Sequence, residues 1–99
     1  MSDYPNSVGP DMIAVGKKLE KLGNYEKAKA FFETVILDFT PFVEDIASKK
    51  KNSIDYELDS DLPTVKSLFD ALQGLARLKI EIDKSLLAKT QLLMNSIQK

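Results

Sequence analysis

Residues 61–97 read DLPTVKSLFDALQGLARLKIEIDKSLLAKTQLLMNSI, and the way this run divides decides the fold. Leu68, Leu72, Leu75, Leu78, Ile82, Leu86, Leu93 and Ile97 fall within roughly 120° of arc when each residue turns by about 100°. So narrow a stripe over so long a run predicts one helix over about 62–98, with Asp61 as its cap. Gly74 weakens that helix locally without ending it. Alternatively the run breaks at Lys79-Ile80-Glu81-Ile82, whose alternation is not helical, and Asp83 caps a fourth helix. Unbroken phase favours the continuous helix.

Working outward toward the N-terminus, Lys49 to Asp61 is the longest loop. It places three lysines ahead of the carboxylates Asp55, Glu57, Asp59 and Asp61. These lack the glycine turn and spacing of an EF-hand and read as a solvated loop, as do Ser53, Tyr56 and Ser60. Before it, Phe32, Val35, Phe39, Phe42 and Ile46 step by three or four and keep one phase through Pro41, which predicts a kinked helix over about 25–48. Phe32, Phe39 and Phe42 are expected in the core. Pro10 and Asp11 suit the start of a first helix over about 10–22, with Met12, Val15, Leu19 and Leu22 as its apolar stripe and Gly16 upon it. Gly23 supplies the stop, and Asn24 is placed to cap the next helix. Residues 1–9 read as a flexible leader, and 10–99 as a single domain. The fold expected is all-α: an antiparallel three-helix bundle with a long third helix, or four helices if the chain breaks near 79–83.

The chain has 99 residues, with 14 Lys and Arg, 15 Asp and Glu, and no Cys, His or Trp. That excludes thiolate nucleophiles, imidazole bases and the zinc sites built from them, so no enzyme, metal or cofactor is expected. A formal net charge of -1 gives no field to hold nucleic acid. No run approaches the 18 or so apolar residues of a membrane span, and Met1-Ser2-Asp3 opens no signal peptide, so a cytoplasmic protein is expected. Residues 24–48 carry an acidic excess and residues 62–99 a basic one, so antiparallel packing sets opposite charges side by side.

The order Val15-Gly16, Leu19, Gly23-Asn24-Tyr25, Ala28, Phe32, Val35 and Pro41 resembles a tetratricopeptide repeat. Leu19 stands where that repeat usually has an aromatic, Val35 where it has Ala, and Pro41 falls one residue late. Nothing after Pro41 repeats the pattern, whereas an array needs further copies to bury its faces. One hairpin closed by a third helix is similar instead to the microtubule-interacting and trafficking (MIT) domain, especially at Leu22-Gly23-Asn24-Tyr25-Glu26-Lys27-Ala28. The resemblance covers Met12 to Pro41 and implies an adaptor in protein transport. Its groove, beside helix 3 and against helix 2 or helix 1, would dock a short amphipathic helix of another protein.

Several apolar residues lie off the main stripes: Leu37 points about 180° from Ala28, Phe31 lies at the edge, and Val65, Phe69, Ile80, Leu87 and Met94 form a second row. That row either contacts helix 1, as the third helix of a bundle does, or lines a groove for a partner helix. The partner-binding residues expected by analogy are Phe31, Leu37, Val65, Phe69, Ile80 and Leu87, with Lys66 and Lys84 at the rim. An unbroken third helix outruns its neighbours, leaving Leu86, Leu87, Leu92, Leu93 and Met94 uncovered for self-association. Two other classes remain: a structural subunit of an obligate helical assembly, and a small four-helix inhibitor or immunity-type protein, the latter favoured by a break near 79–83.

Overall fold

The computed structural model describes residues 8–52 and 62–97. The four helices there are α1 (Val8–Lys21), α2 (Tyr25–Asn52), α3 (Leu62–Arg77) and α4 (Lys84–Ile97). The all-α expectation holds; the single helix over 62–98 does not. Leu78 to Asp83 leave helical geometry, and Lys79 takes a left-handed φ of 64°. The phase nevertheless survives the break: Leu75 and Leu86 are buried, and Leu78 and Ile82 between them pack against the same core.

The glycines of α1 and α3 show how the bundle closes. A Cβ added to Gly16 would lie 2.6 Å from the Phe32 ring, and one added to Gly74 would lie 2.5 Å from its other side. Phe32, fully buried on α2, is therefore clasped between the bare backbones of two helices. Farther along α2, Phe39 lies against Gly9, whose added Cβ would also strike Ser67. Residues 9 and 16 thus oppose 39 and 32, as do 67 and 74, so α1 and α3 both run antiparallel to α2. Each of these three helices packs on the other two, and α4 packs on α3. Enlarging either glycine forces overpacking worth about 1–3 kcal/mol, against about 1 kcal/mol of helix propensity gained.

The stripe of α2 is Ala28, Phe32, Val35, Phe39, Val43 and Ile46, all buried. Phe42 is a correction: it is 41% exposed and meets Phe39 edge-on at 6.5 Å, while Val43 takes the core position. Steps of four at 35–39 and 39–43 carry the stripe one residue past 42. Pro41 does not end the helix, because it sits on the exposed side where water can serve the Leu37 carbonyl that loses its donor. Thr40 Oγ1 donates to the Ile36 carbonyl at 2.5 Å in the same turn. The helix then runs through Lys49–Asn52, which had read as loop.

On α1 the buried residues are Gly9, Ile13 and Gly16, flanked by partly buried Met12 and Leu19. Val15 and Leu22 turn outward, Leu22 being 71% exposed. Gly9, read as leader, is helical and buried because only a residue without a side chain fits against Phe39 and Ser67. Asp55, Glu57, Asp59, Asp61, Ser53, Tyr56 and Ser60 lie outside the described residues. No described helix is long and apolar enough to cross a membrane.

Candidate functional site

Two clefts border the connector 78–83, one lined by its second half and the other by its first. Beside the second half, Glu33, Ile36 and Leu37 of α2 face Leu72 and Leu75 of α3, and Glu81, Ile82, Asp83 and Leu86 close the far wall. The groove holds about 410 Å³. Its floor is apolar: Leu72, Leu75 and Leu86 are buried, and Ile36 and Ile82 are partly so. Leu37 stands over that floor 77% exposed, and the carboxylates Glu33, Glu81 and Asp83 rim it. Asp83 Oδ1 accepts from the backbone N–H groups of Ser85 at 3.0 Å and Leu86 at 3.1 Å. This is the cap expected of a fourth helix, and it fixes one acid of the rim in place.

Beside the first half, α1 ends and α2 begins around a cleft of about 750 Å³ lined by Lys17, Glu20, Lys21, Tyr25, Glu26, Lys29, Arg77, Leu78, Lys79 and Ile80. Arg77 donates twice to Glu20, Nη2 to Oε1 at 2.8 Å and Nε to Oε2 at 3.0 Å. Those hydrogen bonds lower the Glu20 pKa below its ordinary value and, seen from the other partner, raise that of Arg77. Lys17 lies 3.9 Å from Asp70 of α3. The opposite charges of α2 and the C-terminal segment meet in one ion pair among the described residues, Lys89 to Glu44 at 3.8 Å; the α3 pairs go to α1 instead.

The residues expected to form one partner groove are not brought together. Val65 is fully buried among the core residues of α3 and offers nothing to a ligand, because α3 is covered by α1, α2 and α4. Ile80 and Leu87 are partly buried against the core, and Ile80 lines the basic cleft rather than the groove of Leu37. Lys66 borders a shallow hollow against Pro10 and Ala14 of α1, and Lys84 is exposed at the start of α4. Phe31 and Phe69 are partly buried and line neither cleft. The uncovered end expected of a long helix is also corrected: Leu86 and Leu93 are buried, Leu87 and Met94 partly so, and Leu92 alone of the five is largely exposed, at 69%. Of the expected set, Leu37 sits in an apolar groove, while Glu33, Ile36, Glu81 and Ile82 were not expected at a binding site. For Glu81 and Ile82 the alternation Ile80-Glu81-Ile82 was the signal, since it turns one acid outward between two apolar residues packed on the core.

Among the described residues no group of three or more acidic, His or Cys side chains is placed to hold a metal ion. Compared with protein family profiles, curated proteins and solved structures, the chain has no match.

Proposed function

We propose that the chain is a protein interaction module, not an enzyme, that docks a short amphipathic segment of another protein in the acidic-rimmed groove between α2, α3 and the connector. The observation that carries this is Leu37, a large apolar side chain 77% exposed above an apolar floor and ringed by Glu33, Glu81 and Asp83. Apolar anchors supply affinity in such a groove, and rim charges set orientation and association rate. The complementary partner carries Leu, Ile or Phe at three- and four-residue spacing, flanked by Lys or Arg. The functional type proposed is a cytoplasmic adaptor resembling the MIT class, whose groove would likewise lie beside α3 and against α2.

A peptide library panned against the folded chain tests this. Recovered peptides should show basic-flanked apolar spacing, and their affinity should fall by about tenfold or more on Leu37→Asp or Glu81→Lys while Leu22→Asp leaves it unchanged. Affinity indifferent to Leu37→Asp overturns the assignment.

The break at 78–83 favours a second reading, a small four-helix inhibitor or immunity-type protein, whose target would be a folded enzyme surface instead of a linear segment. Competition separates the two, since a selected peptide displaces a linear ligand completely. Obligate assembly was argued from a single long helix. With the chain folded back, sedimentation at micromolar concentration should show a monomer.

A further inference from the structure

The basic cleft beside residues 77–80 shares no lining residue with the groove just assigned. Its lining carries five cations, Lys17, Lys21, Lys29, Arg77 and Lys79, against Glu20 and Glu26. Arg77 is held by Glu20 and Lys17 lies near Asp70, which leaves Lys21, Lys29 and Lys79 without an ion pair among the described residues. Three ammonium groups without a carboxylate partner line one hollow, and an anion seated there would meet all three charges together.

Lys79 adds an independent sign. Its φ of 64° is one that glycine adopts freely and a residue with a Cβ does not. The chain thus places a charged side chain at a position where backbone geometry alone asks for glycine. The remaining wall is not charged: Leu78 and Ile80 are apolar, and Tyr25 presents a half-exposed ring at the mouth. A volume of about 750 Å³ lies in the range of small-molecule sites.

We infer that this cleft binds a small soluble organic phosphate, its phosphates between Lys21, Lys29 and Lys79 and its flat or apolar body against Tyr25, Leu78 and Ile80; a nucleoside diphosphate has this chemistry. Titration calorimetry with ADP, pyrophosphate and phosphatidylcholine vesicles doped with a phosphoinositide tests it on the intact chain. ADP is expected to bind more tightly than pyrophosphate, the margin disappearing in Tyr25→Ala because base stacking is lost. Lys21→Gln, Lys29→Gln and Lys79→Gly should each weaken ADP by about tenfold, with Lys66→Gln and Lys84→Gln as silent controls. Glu26→Gln should tighten it. Lys79→Gly discriminates further, because relief of the left-handed backbone raises the melting temperature while binding falls, so lost affinity cannot be lost folding. No heat with ADP or pyrophosphate at millimolar concentration, binding to vesicles alone, or ADP affinity equal in Lys79→Gly and wild type would each overturn the proposal.

Discussion

The chain stops a helix in the same way twice, once at Gly23 and once at Lys79. At the first stop Asn24 N–H bonds the Leu19 carbonyl at 2.9 Å and Gly23 N–H the Glu20 carbonyl at 3.0 Å. At the second, Ile80 N–H bonds Leu75 and Lys79 N–H bonds Ala76, both at 3.0 Å. Each is a Schellman motif around a left-handed residue, with φ 82° at Gly23 and 64° at Lys79. What differs is the source of the turn. Gly23 needs no help, and nothing lies within 4 Å of where its Cβ would be. Lys79 is strained and is held by its neighbours: Leu75 belongs to the buried core and Ile80 packs against it, which is the apolar contact that accompanies this motif. A helix end can be written by a backbone preference or by burial on both sides of it, and only the first leaves a recognisable residue.

Removing burial should break the second stop more than the first. Leu75→Ala is expected to cost about 2–4 kcal/mol, and Leu19→Ala, partly buried at the equivalent position, about half that, both read by urea denaturation. Exchanging the turn residues should move stability in opposite directions. Gly23→Ala loses about 1 kcal/mol to its φ alone, whereas Lys79→Gly gains up to about 1 kcal/mol, or roughly 4–8 °C in melting temperature for a chain of this size. An equal loss at both positions would mean that the φ of Lys79 carries no strain.

The restarts after each stop differ as well. Asp83 caps α4 through its side chain, while Asn24 enters α2 through its carbonyl, which accepts from Ala28 N–H at 3.1 Å. Asp83→Ala should therefore cost about 1 kcal/mol and Asn24→Ala only a few tenths, by thermal melting. A comparably small effect belongs to the ion pair joining the two stops, Glu20 to Arg77. Being partly exposed it contributes about 0.5 kcal/mol, so Arg77→Met destabilises only slightly at neutral pH. Because the folded Glu20 pKa lies below its ordinary 4.5, that contribution is complete above 4.5 and is lost as pH falls through the lower folded value. Melting curves of wild type and Arg77→Met should converge in acid; a gap that persists at low pH would assign the loss to packing.

This contrast also shows why the sequence was legible in some places and not others. Periodicity reports which residues face the core, not whether the backbone between them is helical. Leu78, Ile82 and Leu86 keep the α3 phase although the chain leaves the helix among them, which is why one long helix was expected. The hairpin at Gly23, by contrast, was readable because the residue that makes it possible is chemically distinct. Val65 was misread because α3 is surrounded on three sides, and its buried arc is wider than the single stripe of a helix packed on one side only. Leu37 was identified from α2 alone. Its acidic neighbours come from the connector, and no spacing rule joins residues 33–37 to residues 81–83 until that connector has turned.

The Phe32 ring and the two glycines that clasp it form a unit that no single substitution can improve. A smaller side chain at 32 leaves an empty slot, and a larger one at 16 or 74 finds the slot already filled. Sequence drift at these three places must therefore be concerted, with bulk given up by the middle helix reappearing on one of its neighbours. Among distant descendants of this chain, small residues at both flanking positions should accompany an aromatic at 32, and a reduced side chain there should travel with an alanine or serine opposite.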